Sequence, residues 1–587
     1  MSLVERDSAR PRGDLAPTLW HTRDKGRSSR SKAGDGLPER ARGAYSRRAE
    51  GAEECRRPRE RVGARDEGGT LAGENWMASS AQPTVPRTSG RGVTRLEALA
   101  FLAFVMLMAW PFGTYTRPPF DDEIFTLGYI HEANLRAIFS TGLTGIEIHP
   151  FFSYAWYRVL SDLGLALWAM RSVSLLLSAS AFLFVLDLTL RAQAAPNAAA
   201  RVSILFLFAT FPLLYGVGDA LRWYPILAFE VALFFRLELR RDAPTIAGGL
   251  LLGLAASTNY LAIFAYVGFA VRRYALKRRF ELRADAPFHL AMLLTAWPGL
   301  VNFAMAFDRP GSADVSKTFL EHVSILAGLA GFAQAALGFF GGYRLGLFNG
   351  ALALPFVALL LASLAALYGW LRRARGESAS EDARDLVSVA TTLIVLSALY
   401  SLFTSFDRGR ALLFVAPFLL GCFALGYWRL KLAARWQAWP LAFVALLLYS
   451  AALGAGRLTD EPFKRDLAIP FDEVAQFVAD NTSGDVLVAS SEPVSQWLLE
   501  EKGYCTIGWG RKPQCLARGL APFHDIVVVR NQEFLTQPRL EKIAREVAAE
   551  RQLVARAEFG RDRTARLKTL LTGTPLSPWL VTVEIYR

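Results

Sequence analysis

The sequence predicts an α-helical polytopic membrane protein that carries a small C-terminal α/β domain outside the membrane. Three observations lead to this fold class. The chain of 587 residues is 52% hydrophobic, with a mean hydropathy of +0.24, and its apolar residues fall into runs of roughly 15–25, the length that crosses a bilayer as a helix. Lysine and arginine concentrate in alternate connections between these runs. After residue 458 the pattern changes to short amphipathic helices and strands.

The apolar runs predict about eleven transmembrane helices within a domain that covers 94–458. The pair 244–257 and 259–272 is short for two spans, and one long tilted helix is the alternative, which would invert the sidedness of everything after it. We expect segment 323–341 to lie at the outer interface or to re-enter the protein, with a full span as the alternative. The predicted spans are 94–113, 168–190, 202–218, 223–239, 244–257, 259–272, 287–304, 348–371, 387–405, 411–428 and 437–456.

Basic residues predict which side each connection occupies, because loops rich in Lys and Arg stay in the cytoplasm. With eleven spans the N-terminus is inside, the C-terminus is outside, and every basic loop falls on the inner side. The sequence therefore predicts a multi-pass protein of the bacterial cytoplasmic membrane, with the first outer loop, 114–167, facing out. The inner segments are the N-terminal tail, 191–201, "RLELRRD", "RRYALKRRFELR", "LRRARGESASEDARD" and "WRLKLAARW".

The N-terminal segment 1–93 is rich in Arg, Gly, Ser and Glu and nearly free of large aliphatic residues. Such a segment cannot bury enough apolar surface to fold alone, and we expect a disordered, basic cytoplasmic tail. An assigned start that lies too early is an alternative, because Met77 would begin a short basic lead into the first helix. The tail lacks an aromatic or base-reading pattern, so no nucleic-acid partner is expected.

The C-terminal segment 459–587 predicts an extracytoplasmic α/β domain. Helical patterns alternate with apolar strands such as "HDIVVVRN" and "WLVTVEIYR". Cys505 and Cys515 lie close together in this region, and a disulfide between them is expected in an oxidising compartment, with two free thiols as the alternative.

Polar residues collect at the predicted outer ends of several helices. In a helical bundle these ends can converge on one cavity at the membrane surface, with acidic groups on one wall and arginines on others. The residues are Asp121, Asp122 and Glu123 after the first span, His149 before the second, Asp219, Arg222, Trp223 and Tyr224 before the fourth, and Arg408 and Arg410 in "SFDRGRALLFVAPFLL".

This set of side chains suits sugar transfer from a lipid phosphate to a hydroxyl. The phosphate leaves without being protonated, so the reaction needs one base for the proton of the acceptor, in contrast to the two carboxylates of most glycosidases. It also needs cations that hold the phosphate, a task for which the planar guanidinium group is well shaped. The lipid tail of the donor explains why such an enzyme is built from membrane helices.

The order of "DDE", "HPFFSYAWYRVL", "MRSVSLLLSASAFLFVLDLTLR" and "LRWYPILAFEVALFFRLELRR" resembles the GT-C glycosyltransferases over roughly 94–430. The similarity is to the bacterial branch of protein O-mannosyltransferases and lipid A aminoarabinose transferases. The C-terminal domain is loosely similar to the periplasmic domains attached to such enzymes. The resemblance implies a GT-C fold and inverting transfer from a polyprenyl-phosphate sugar to a hydroxyl of an envelope glycan, lipid or protein.

The acidic motif carries the main functional expectation. Asp122 with Glu123 matches the Asp-Glu pair of the family, whose Asp is the expected base. Asp121 and Glu123 are expected beside it at the catalytic site, because a nearby carboxylate raises the pKa of the base. Arg222 and Tyr224 match the Arg and Tyr of the family motif Glu-Ala-Arg-Met-Tyr.

Other positions match the family in part. His149 matches the His of His-Pro-Pro-Leu-Tyr, although Phe151 replaces the second Pro, and Arg410 matches a late Arg, although Ala411 replaces the following Tyr. Asp219 stands one residue further away than the family's Glu. These departures leave the identity of the sugar open. The expected substrate-binding residues are His149, Arg222, Tyr224, Arg408 and Arg410, with Arg222 and Arg410 on the phosphate and Arg408 near lipid headgroups.

No cofactor and no metal are expected, and a divalent cation held by Asp121 and Asp122 is the alternative. Glu230 lies inside a predicted span, where an acid is a functional candidate or pairs with a neighbouring helix. The competing class of function is a lipid or glycan transporter or flippase, which would show internal repeats and polar groups near the membrane midplane. A third alternative is a scaffold that kept the fold and lost the activity.

Overall fold

The computed structural model contains a helical part and a C-terminal sheet domain. It describes residues 91–110, 114–115, 119, 121–143, 150–192, 198–307, 347–373, 378–403, 412–430, 469–508, 519–531, 538–561 and 579–587. The predicted tail up to residue 90 with Met77, segment 323–341 and span 437–456 lie outside these residues.

The helical part contains fourteen α-helices among the described residues. A π-helical segment, Val271–Leu276, continues α10, and a 3-10 turn, Leu412–Phe414, precedes α14. The helices are α1 Arg95–Met108, α2 Asp121–Glu132, α3 Leu135–Leu143, α4 Phe152–Asp162, α5 Leu167–Ala192, α6 Ala198–Ala209, α7 Pro212–Val217, α8 Trp223–Glu238, α9 Ile246–Thr258, α10 Ala262–Ala270, α11 Leu282–Phe307, α12 Leu347–Arg373, α13 Ser378–Phe403 and α14 Ala416–Tyr427.

Within the described part of the chain, three helical stretches are long and apolar enough to cross a membrane: Leu167–Ala192, Leu282–Met305 and Glu381–Tyr400. Shorter apolar helices accompany them, among them Ile246–Thr258 and Leu412–Tyr427. Every predicted span except 437–456 overlaps a helix. The described residues therefore have the helix lengths and composition of a multi-pass membrane protein, while the number of crossings stays a prediction.

The pair 244–257 and 259–272 forms two helices rather than one. α9 ends at Thr258, and Asn259 is extended, with φ −162° and ψ 145°. The Asn259 side chain then accepts a hydrogen bond from the Leu261 backbone, 3.0 Å away, which stabilises the turn. The single long helix is therefore wrong. The predicted span 202–218 is also divided, because Pro212 opens α7 and the residue before a proline disfavours helical geometry.

Glycines bring α9 and α11 close together. A Cβ atom at Gly249 would overlap the Phe288 carbonyl, and one at Gly253 would overlap the Met292 carbonyl. The four-residue spacing of these glycines puts both on one face of α9, the arrangement that allows membrane helices to approach closely.

The helix α5 connects two opposite ends of the bundle. Arg171 lies near its beginning and Asp187 near its end, about 24 Å apart along the axis at 1.5 Å per residue. Near Asp187 the predicted cytoplasmic segments come together, since Asp187 pairs with Arg236 at 3.3 Å and Val93 donates its backbone N–H to Asp187 at 2.8 Å. The basic segments thus share one end of the bundle. The compartment that this end faces stays a prediction.

The C-terminal domain is a five-stranded mixed sheet covered on both faces. Its order is β2-β1-β3-β5-β4, with β2, β1 and β3 parallel and β5 antiparallel to its neighbours. One face packs against α15 and α16, and the other packs against α17. The elements are α15 Phe471–Asn481, β1 Val486–Ser490, α16 Pro493–Glu501, β2 Cys505–Ile507, β3 Asp525–Asn531, α17 Pro538–Glu550, β4 Leu553–Arg561 and β5 Trp579–Tyr586.

The predicted α/β character of this domain is therefore confirmed. Cys505 is disulfide-bonded. Its partner lies outside the described residues, so the pairing with Cys515 stays a prediction. Cys422 is a buried free thiol in α14.

Candidate functional site

The acidic motif begins a helix. Asp121, Asp122 and Glu123 form the first turn of α2, where carboxylates interact favourably with the positive end of the helix dipole. Glu123 is completely buried, whereas the side chains of Asp121 and Asp122 lie outside what the structure describes. The stripe that α2 buries is spaced three and four residues apart and consists of Glu123, Thr126, Leu127 and Ile130.

Glu123 forms a buried ion pair with Arg171 of α5. Arg171 Nη2 lies 2.7 Å from Glu123 Oε2, and Nε lies 3.2 Å from Oε1, so the two planar groups meet through two parallel bonds. The side chains are 1% and 0% exposed. Removing either partner would leave an uncompensated charge, which makes the pair a strong constraint on the position of α2.

The same carboxylate reaches a third segment. Glu123 Oε1 accepts a hydrogen bond from the Leu221 backbone N–H at 3.2 Å. Leu221 precedes Arg222, so the start of the acidic helix and the loop before α8 are joined directly. These two regions are therefore in contact at Glu123, and their opening onto one common cavity stays a prediction.

The loop 218–222 is also held by α4. The Tyr157 hydroxyl lies 2.9 Å from the Arg222 carbonyl oxygen and 3.2 Å from that of Ala220, to which it donates, and it shares a 3.0 Å hydrogen bond with Ser174. Burial raises the pKa of Tyr157, so the hydroxyl keeps its proton. Ser178 of α5 donates to the Gly218 carbonyl at 2.8 Å. The backbone that carries Arg222 is therefore fixed from two helices.

The Arg222 side chain lies beside Tyr154 of α4. Arg222 Nη1 is 3.5 Å from the Tyr154 hydroxyl, and the ring of Tyr154 meets that of Tyr129 edge-on at 4.9 Å. Tyr129 belongs to α2. The guanidinium group, which is the chemistry predicted for a phosphate, thus lies on the same side of α4 as the acidic helix.

Asp219 of this loop and the first two residues of α8 are also buried. Asp219 is completely buried and close enough to Tyr115 that its charge, second to burial, raises the tyrosine pKa. Trp223 and Tyr224 are 2% and 4% exposed, and their rings lie 4.3 Å apart within the main core. Contact of Tyr224 with a substrate stays a prediction.

His149, Arg408 and Arg410 lie outside the described residues. The 3-10 turn that follows the two arginines, Leu412–Phe414, is buried and packs against α8. The predicted roles of these three residues are not tested by the structure.

The structure adds three residues that sequence reasoning missed: Arg171, Tyr154 and Tyr157. Arg171 carried a usable signal, because an arginine inside an apolar run is a functional candidate by default. The two tyrosines carried none, since tyrosines near helix ends usually belong to the interfacial belt.

No three His, Cys, Asp or Glu side chains lie close enough together to hold a metal ion within the part of the chain that the structure describes. The side chains of Asp121 and Asp122 are not part of that set, so the cation alternative is not tested.

A cavity of about 420 Å³ lies between α9, α10 and α11. Its lining is almost entirely apolar and includes Leu252, Ala256, Ile263, Met292 and Phe303. This cavity forms an apolar groove between the three helices. Next to it, Trp297 of α11 meets Phe139 of α3 edge-on at 6.3 Å, so the groove adjoins the first outer loop.

Comparison with solved structures finds similar chains. The chain is similar to the crystal structure of ArnT from Cupriavidus metallidurans bound to undecaprenyl phosphate, with 13% sequence identity and a TM-score of 0.47, over 83% of this chain and 97% of that chain. No protein-family model matches the sequence, and no curated protein matches it. At this identity no residue role is transferred from ArnT to this chain.

Proposed function

We propose that this protein is a GT-C-type membrane glycosyltransferase. It transfers a sugar from a polyprenyl-phosphate donor to a hydroxyl group of an envelope glycan, lipid or protein, on the outer face of the cytoplasmic membrane. The observation that carries the proposal is the Glu123 carboxylate, which binds Arg171 and the Leu221 backbone at once. It ties the start of the acidic helix to the loop that carries Arg222.

The proposed reaction is a single displacement. Asp122 takes the proton of the acceptor hydroxyl as its oxygen attacks the anomeric carbon. The bond between that carbon and the phosphate oxygen breaks, the electron pair leaves with the polyprenyl phosphate, and the configuration inverts. Arg222 and Arg410 bind the phosphate as its charge grows. Glu123 is already paired with Arg171, so we assign it the positioning of α2 and leave proton transfer to Asp122.

Two further features support the proposal. A disulfide at Cys505 fits an oxidising compartment and thus an extracytoplasmic C-terminal domain. The apolar groove between α9, α10 and α11 is open at the surface of the helical bundle, since Ile263, Leu300 and Phe303 are 53%, 51% and 43% exposed, and we assign it to the apolar tail of the donor.

The test uses the purified full chain in lipid nanodiscs with a radiolabelled polyprenyl-phosphate sugar and an envelope extract as acceptor source. We expect label to move to an acceptor and polyprenyl phosphate to be released. Asp122→Asn should lower turnover by about 10²- to 10⁴-fold, the usual contribution of a general base. The matched variant Asp121→Asn should lower it less. Normal turnover by Asp122→Asn would exclude this base.

The same experiment separates the transporter from the enzyme. A transporter or flippase would move the labelled donor between leaflets without releasing polyprenyl phosphate. Donor that crosses the bilayer intact, with no labelled acceptor, would contradict the proposed function.

A further inference from the structure

The helix α2 is too weak to form by itself. It has twelve residues, and isolated helices shorter than about 12–15 residues are marginal in water. Gly128 lies in its middle, where glycine is unfavourable for a helix. The order of the turn that carries Asp121 and Asp122 must therefore come from what packs against α2.

One side of α2 is held by the helical bundle. Leu127 and Ile130 pack in a core cluster with Tyr157 and Met170, and Glu123 is tied to Arg171. The far end is held as well, because Arg158 of α4 donates to the Ile130 carbonyl at 2.5 Å and to the Ala133 carbonyl at 3.3 Å. Cations at a helix C-terminus satisfy its last carbonyl groups and oppose its dipole.

The other side of α2 is held by the C-terminal domain. Ile124 is half-buried and packs against the domain core that contains Val494 and Leu499 of α16. α2 and α16 contact each other directly. At the far end, burial raises the pKa of the carboxyl of Glu501, the last residue of α16, and the nearby His131 opposes that rise. Ile124 and His131 lie on one face of α2, two turns apart.

The C-terminal domain can hold α2 in place because α16 is fixed to the sheet. Pro493 opens the helix, and the Glu492 side chain caps it by accepting from the Ser495 backbone. Leu499 is fully buried, and its carbonyl accepts the Tyr504 N–H at 3.0 Å just before β2. α16 is therefore a rigid support rather than a loosely attached helix.

We propose that the C-terminal domain positions the acidic helix, with α16 pressing on Ile124 so that α2 is clamped between the domain and the bundle. Ile124 is then a positioning residue that acts through Asp122. This inference rests on the proposed function for its catalytic consequence, whereas the clamp itself is independent of that function.

The main test is Ile124→Asp in the full chain. A charge at this contact should separate α16 from α2 and leave Arg171, Arg222 and the groove in place. We expect kcat to fall by about 10- to 100-fold, since small displacements of a catalytic group cost rates of that order. The KM for the donor should change less than about twofold, because interactions that bind ground and transition states equally are untouched.

Two variants control for a merely structural effect. Ile124→Leu keeps the apolar contact and should behave as the wild type. Gly128→Ala adds a methyl group where nothing lies within 4 Å, and alanine favours the helix by about fivefold over glycine. In the double variant Ile124→Asp/Gly128→Ala, part of the lost kcat should return, because the defect is one of helix order.

A second measurement tests whether α16 holds α2 and needs no activity assay. In hydrogen exchange of the full chain, Ile124→Asp should speed the exchange of α2 amides and leave α16, which the sheet fixes, nearly unchanged, and Ile124→Leu should change neither helix. Unchanged exchange in α2, or unchanged kcat in Ile124→Asp, overturns the proposal. If the wild type transfers no sugar, the proposed function and its catalytic consequence fail, and the exchange data still accept or reject the clamp.

Discussion

Both ends of α5 carry buried ion pairs, but the two ends are built differently. At the Arg171 end a single carboxylate, Glu123, binds one guanidinium group and the backbone of the loop 218–222. At the Asp187 end a buried acid can have two basic partners: Asp187 binds Arg191 and Arg236. Asp187 keeps one cation when the other is lost, so the second end is redundant, whereas the ion pair described for Glu123 at the first end is with Arg171.

One neighbouring acid at the Asp187 end follows the same rule, since Asp385 binds Arg272 at 2.6 Å and Lys277 at 2.8 Å. Asp285 adds a further buried pair with Arg273 at 2.6 Å. These pairs join α13, α11 and the π-helical segment. The comparison indicates that one end fastens the bundle, whereas the other end aligns two segments that carry the proposed chemistry.

The largest loss of stability is expected from breaking the Glu123–Arg171 pair. Arg171→Met leaves the Glu123 carboxylate buried without its counterion and should cost about 3–5 kcal/mol of stability. Thermal unfolding in nanodiscs measures this. The double variant Glu123→Leu/Arg171→Met removes both charges and should recover most of the stability but not the sugar transfer. Recovery of full activity in the double variant would show that the pair does not align the site.

A smaller effect is expected from the equivalent change at the redundant end. Arg272→Met leaves Asp385 paired with Lys277, so the loss should be near the lower limit for a broken buried pair, about 3 kcal/mol. The kcat measured at a temperature where the variant is folded should equal that of the wild type. A fall in kcat as large as that of Arg171→Met would contradict the division of labour between the ends.

The hydroxyl of Tyr157 tests the alignment more gently. Tyr157→Phe removes the donor to the Arg222 and Ala220 carbonyls and should cost about 1–2 kcal/mol. Because the loop that carries Arg222 loosens, kcat/KM for the donor should fall as well. Ser172→Ala on α5 is a suitable control, since Ser172 is half-buried and its hydroxyl donates to its own helix at the Trp168 carbonyl. Equal kinetics in the two variants would argue against a role of this loop in donor binding.

The smallest effect concerns a multiply bonded acid outside the helical bundle. Burial alone would raise the pKa of Asp525, but hydrogen bonds from Arg587 and from the Ser483 backbone lower it below its ordinary value of 3.8. Its contribution to stability is therefore complete above that value and is lost as the pH falls through the lower folded pKa. Arg587→Gln should make the C-terminal domain unfold at a higher pH during acid titration, followed by circular dichroism.

Arg551→Gln provides the control for this titration. Arg551 donates only to backbone carbonyls, those of Leu520, Phe523 and His524. Its loss should lower stability about equally at every pH. An acid midpoint that shifts as much in this variant as in Arg587→Gln would contradict the assignment to Asp525.

The helices could largely be predicted from the sequence, because apolar length and basic loops are properties of single segments. The Glu123–Arg171 pair could not, because the partners lie far apart in sequence and only packing brings them together. Two strands were also missed. β2 has three residues, and β4 is an edge strand interrupted by the charged residues Arg556 and Glu558, so neither presents an apolar run.

The sequence predicts a site only as far as its chemistry is written in residue types, and the roles of those residues stay predictions. Acids at a helix start and an arginine before a later helix indicated where to look, and the structure joins these two regions through Glu123 and Leu221. The backbone contacts of Tyr157 carry no sequence signal, because any tyrosine at that position would look the same.

At the redundant end, the ion pairs depend on the number of residues in the π-helical segment Val271–Leu276. Its wide turn lets two adjacent side chains reach opposite neighbours: Arg272 extends to Asp385 and Arg273 to Asp285. A π turn holds one residue more than an α turn. Deleting one residue from this segment should therefore detach a helix that single substitutions leave attached. At this place the spacing of the residues matters more than the identity of their side chains.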